Sequence, residues 1–100
     1  MPYTVHLSKA LRKAGWKVRV FDSEVGPEEP HFTILHKMVM WRVSLRTGDF
    51  LAPEGGRWKD IPNEVIDAIN DETNQTQMKA YWDKGNPHNR VKSEGNEQNG

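Results

Sequence analysis

Three stretches of the chain alternate apolar and polar side chains with a period of two, the mark of half-buried β-strands. In the first, Trp16, Val18 and Val20 alternate with Lys17 and Arg19. The second runs from His31 to Lys37, and strand side chains point to opposite faces in turn. Phe32, Ile34 and His36 therefore share one face, and His31, Thr33 and Leu35 the other. In the third, Val39, Trp41, Val43 and Leu45 alternate with Met40, Arg42, Ser44 and Arg46, after a tight connection near Lys37-Met38.

Helical spacing flanks these strands. Leu7, Ala10, Leu11 and Ala14 predict a helix over about 5–14, with Thr4 as N-cap and Gly15 as the stop. Thr47-Gly48-Asp49 reads as a turn, and Phe50-Leu51 as a short extra strand or an anchor. Trp58 is expected to pin the loop around 53–56, and residues 22–30 form a polar connection. Asp60-Ile61-Pro62 predicts a helix start with Asp60 capping. Val65, Ile66 and Ile69 give its buried stripe, and Met78, Tyr81 and Trp82 repeat the spacing. The polar residues 70–76 between them leave one bent helix or two consecutive ones, ending near Gly85.

The order is helix, three strands, helix. It predicts an α+β domain over 1–85: a three- to four-stranded antiparallel sheet with helices packed on one face. Residues 86–100 hold one aliphatic side chain, Val91, and are expected to form a disordered polar tail.

Composition narrows the class. The chain has 100 residues, 35% of them hydrophobic, which is enough for one modest core. It has no cysteine, which excludes a disulfide framework and thiolate chemistry and suits a reducing cytoplasm. No signal peptide or membrane span is expected. Net charge is zero but unevenly placed. Lys9, Arg12, Lys13, Lys17 and Arg19 crowd the first twenty residues without an acid, and acids gather later. That asymmetry permits a polyanionic partner.

The polar sheet face carries the candidate chemistry. It gathers Lys17, Arg19, His31, Thr33, Arg42, Ser44 and Arg46. Arg and Lys on strands flanking a histidine suit phosphate oxygens. His31 is the one candidate general base, the role metal-independent RNA cleavage requires. A Ser44–His31 nucleophile pair has no elbow motif behind it, and Gly55-Gly56 is no phosphate loop. The imidazoles are His6, His31, His36 and His88, and His31 and His36 point to opposite faces, so neither a metal nor another cofactor is expected. Trp16 and Trp41 read as core. Tyr81 and Trp82 read as core or as a partner-binding patch.

Phe21-Asp22-Ser23-Glu24-Val25-Gly26-Pro27-Glu28-Glu29-Pro30-His31-Phe32 resembles the start of a small bacterial family of unknown function. Its members carry an aromatic strand, an acidic loop, and then Pro-Pro-His-Phe-His-Val. The likeness covers roughly residues 16–84, through Trp41, the helix around 64–69 and Trp82. It departs at Glu29, which stands for the first proline, and at Thr33, which stands for the second histidine. The resemblance implies a bacterial or phage protein of a toxin–antitoxin-like gene pair, with a protein partner. The stretch Leu11-Arg12-Lys13-Ala14-Gly15-Trp16, followed by strands bearing one histidine and a helix, is similar in architecture to HicA-type RNA-cleaving toxins. That likeness implies His31 as a catalytic histidine, although the Gly-Ser-His context is absent.

The leading expectation is a non-enzymatic interaction module. It binds a protein partner from a neighbouring gene, or nucleic acid, through the basic sheet face. The alternatives are a ribonuclease toxin using His31 and a structural accessory protein. An edge strand is also open to pairing with a second copy, which admits a homodimer.

Overall fold

Five strands form one antiparallel sheet whose spatial order follows the chain, β1-β2-β3-β4-β5. The structure is a computed structural model and describes residues 3–21, 29–52 and 56–91. The sequence expectations for residues 22–28, 53–55 and 92–100 lie outside the described residues. The strands are β1 (Tyr3–Thr4), β2 (Trp16–Val20), β3 (His31–His36), β4 (Val39–Ser44) and β5 (Phe50–Ala52). The helices are α1 (Lys9–Lys13), α2 (Asn63–Asn70) and α3 (Glu72–Gly85), with a 3-10 turn at Trp58–Asp60. The class is α+β, with a slightly larger sheet than the sequence suggested. The edge strands β1 and β5 are only 2 and 3 residues long, so little unpaired backbone is offered at either edge.

The extra strand comes from the segment expected to start the first helix. Tyr3, Val5 and Leu7 alternate with Thr4 and His6, and Val5 and Leu7 are buried. Period two thus prevails over the helical stripe. Thr4 pairs with Arg19 instead of capping a helix. The cap is Ser8, whose Oγ accepts from Leu11 N at 3.3 Å. Gly15, at φ +93°, ends the helix as expected.

Helix α2 also starts later than the sequence suggested. The residue before a proline is pushed out of helical backbone, and Ile61 is extended at φ −117°, ψ 133°. Pro62 therefore takes the N-cap position, and Asp60 closes the preceding 3-10 turn. Between residues 70 and 72 the chain forms two helices rather than one bent helix. Asp71, at ψ 129°, breaks the path and caps α3 by accepting from Asn74 N at 3.0 Å. Asn74 and Gln75 then donate their side-chain amides to the Ala68 and Ile69 carbonyls, closing the end of α2.

The two helices cover the apolar sheet face. Val18, Val20, Phe32, Ile34 and Val43 from the strands pack with Val65, Ile69, Met78 and Trp82 from the helices. Each such side chain contributes roughly 1.5–3 kcal/mol when buried. Residues 86–91, expected to be disordered, pack back on the domain. Val91 is buried, its N–H donates to Asp83 at 2.8 Å, and the Asn89 carbonyl accepts from Trp82 Nε1 at 2.7 Å. Composition missed this because the bonds are made by backbone groups, which every residue carries.

Candidate functional site

The strand register decides which polar side chains meet. Arg19 pairs with Thr33, and Thr33 with Arg42. Lys17 pairs with Leu35, and Leu35 with Met40. Cross-strand partners share a face, so two rows run across β2, β3 and β4 on the side away from α2 and α3. Lys17 and Arg42 are exposed and Arg19 is half-buried. Thr33 is buried. Arg19 Nε is buried with no hydrogen-bond partner among the described residues. No strand residue assigned to this face by the register is acidic or carries a phenyl, phenol or indole ring.

Two of the expected site residues serve the fold. Ser44 is buried; its hydroxyl donates to Glu29 Oε2 at 2.7 Å and accepts from the N–H groups of Arg46 and Thr47 at 3.0 and 3.1 Å. It fixes the turn after β4 and is not poised as a nucleophile. Arg46 lies in that turn, beyond the strand. Its Nε donates to the Val91 carbonyl at 2.6 Å, and its other nitrogens reach Arg90 O, Asn89 Oδ1 and Glu29 Oε1. The guanidinium thus clamps the C-terminal segment instead of standing on the open face.

His31 pairs with Ser44 but is only 3% exposed. Its Nδ1–H donates to the Glu29 carbonyl at 2.8 Å, and its ring centroid lies 5.3 Å from that of Trp82. One edge still borders a cleft of about 220 Å³ lined by Glu29, His31, Arg42, Leu51 and Ala52. Sequence reasoning missed Glu29, which sits in a run of turn formers. Its signal was nonetheless present: residues 29, 31 and 33 share a face at period two.

The aromatic side chains lie elsewhere. Trp16 stacks on His36 at 4.0 Å and on Trp41 at 5.8 Å, and His36 is half-buried on the face it shares with Phe32 and Ile34. Trp82 is buried and offers no partner patch, and Tyr81 packs on Tyr3. Trp58 packs on Phe50 at 4.5 Å, beside the loop it was expected to pin. Met38, at 99% exposure, stands at the β3–β4 hairpin tip, and Val39, Met40 and Leu51 are also exposed apolar residues.

Among the described residues no helix is long and apolar enough to cross a membrane. No protein-family model, curated protein or solved structure matches this chain.

Proposed function

We propose that the chain is a non-enzymatic interaction module whose open sheet face takes an acidic protein partner. The observation that carries the reading is the pair of rows Arg19–Thr33–Arg42 and Lys17–Leu35–Met40. They set cations beside apolar side chains, with no acid among them. Arg and Met are enriched at protein interfaces, whereas single-stranded nucleic acid stacks on aromatic rings that these strands do not present. The exposed Lys17 and Arg42 side chains supply donors for a partner's carboxylates. The resemblance over residues 16–84 supports a cytoplasmic bacterial or phage toxin–antitoxin or defence pair, with the partner encoded by a neighbouring gene. The test is titration with that gene's product and, separately, with a single-stranded RNA 20-mer. Binding of the protein that weakens with salt and with Arg42→Ala supports the reading. Binding of the RNA alone, losing about a hundredfold per tenfold rise in salt, replaces it with a nucleic-acid module contacting about three phosphates.

One observation favours a second reading, RNA cleavage at His31. The 220 Å³ cleft brings a carboxylate, an imidazole and a guanidinium to one place through Glu29, His31 and Arg42. Against it, the Glu29 carboxylate is engaged by Ser44 and Arg46 and the imidazole is buried. Cleavage of RNA in chelator, lost in a folded His31→Gln variant, favours this reading. Its absence removes it.

A further inference from the structure

A second cleft, of about 400 Å³, opens between the helix-covered sheet face, α2, α3 and the turn after β4. Phe32, Val43, Leu45, Trp58, Ile66 and Ile69 form its apolar wall. Phe32, Val43, Leu45 and Ile69 are almost fully buried in the core, so the accessible apolar surface of the cleft comes from the half-buried Trp58 and Ile66. The volume is within the range of small-molecule pockets, and well above the ~150 Å³ that holds benzene in an engineered cavity.

The charge on the lining is of one sign. Arg46 and Lys79 border the cleft, and among the described residues no carboxylate does. The Arg46 guanidinium is occupied by Glu29 and the C-terminal carbonyls. Lys79 is half-buried and makes no hydrogen bond or ion pair among the described residues. The nearby end of α2, where carbonyl dipoles repel an anion, is already covered by the Asn74 and Gln75 amides.

We propose that this cleft binds a small organic carboxylate with a flat apolar body. The body lies on Trp58 and Ile66, and the carboxylate on the Lys79 ammonium. An aromatic body suits the Trp58 indole, and a cation with no partner among the described residues suits one negative charge. This site is separate from the open face and stands or falls without it.

The test uses 3-phenylpropionate as probe, followed in the amide and indole NMR spectrum of the whole chain. The expected result is a saturable shift of the Trp58 indole and of the Ile66 and Ile69 amides at millimolar probe. The neutral alcohol 3-phenyl-1-propanol binds about tenfold more weakly, and Lys79→Met lowers affinity for the acid by a similar factor. Lys79→Gln provides a second variant, and the same spectra read its fold. Shifts elsewhere, no shift, or equal binding of acid and alcohol overturn the proposal, as does unchanged affinity in folded Lys79 variants.

Discussion

Arg19 and Arg42 stand on either side of Thr33, each the threonine's partner across a neighbouring strand. Strands lie ~4.8 Å apart, so the two arginine backbones are roughly 10 Å from one another on a rigid support. Two like charges at that spacing repel weakly in water and gain from an anion placed between them. The sheet holds this arrangement before any partner arrives, which reduces the ordering cost of binding.

Arg46 is expected to matter for stability and not for binding. Arg46→Ala leaves the Val91 and Arg90 carbonyls without their donors and frees the C-terminal segment. The loss is about 1–3 kcal/mol, which thermal unfolding reads as a fall of at least about 4 °C. Partner affinity stays within about twofold of the parent in the folded fraction.

The first helix offers a direct check on where it begins. Ser8→Ala removes the acceptor for Leu11 N and costs about 1 kcal/mol. Thr4→Ala, at an exposed strand position, costs less than about 0.5 kcal/mol. Denaturant unfolding of the two variants separates them, and the reverse order would place the cap at Thr4.

At the β3–β4 hairpin Lys37 adopts φ +55° in a two-residue loop between the paired His36 and Val39. A side chain costs about 1–2 kcal/mol there, against roughly 0.5–1 for the extra freedom of glycine in the unfolded chain. Lys37→Gly is therefore expected to raise stability by up to about 1 kcal/mol, measured as a higher midpoint in urea. A clear loss contradicts the turn geometry.

His31→Ala removes a buried ring beside Trp82 and should cost about 2–4 kcal/mol. Growth arrest lost in that variant therefore reports on folding as much as on chemistry. Calorimetry on His31→Ala and His31→Gln decides how much of any effect is structural. Equal melting of both variants and the parent contradicts the packed position.

Much of this was legible in the chain. Alternation within β2, β3 and β4 is clear, broken only by Leu35 and Met40 on the polar face, so the face assignments of Lys17, Arg19, Thr33 and Arg42 agree with the register. Boundaries were harder to read. Tyr3, Val5 and Leu7 fit period two while Leu7, Ala10 and Leu11 fit the helix, and only the pairing of Tyr3 with Val20 decides between them. The roles of Ser44 and Arg46 were hidden for a different reason. Their partners lie at Glu29 and at 89–91, and neither separation follows from a local pattern. Lys79 escaped notice because a lysine on a helix is ordinary until the surrounding walls are known.

The central claim is that the open sheet face is the working surface. Amide and side-chain NMR shifts of the labelled chain, recorded during titration with the neighbouring gene's product, test it most directly. The account expects the largest changes at Lys17, Arg19, Thr33, Leu35, Met40 and Arg42, and at least a tenfold loss of affinity in the Arg19→Ala/Arg42→Ala pair with melting unchanged. Changes confined to α2 and α3, or full affinity in that double variant, would contradict it.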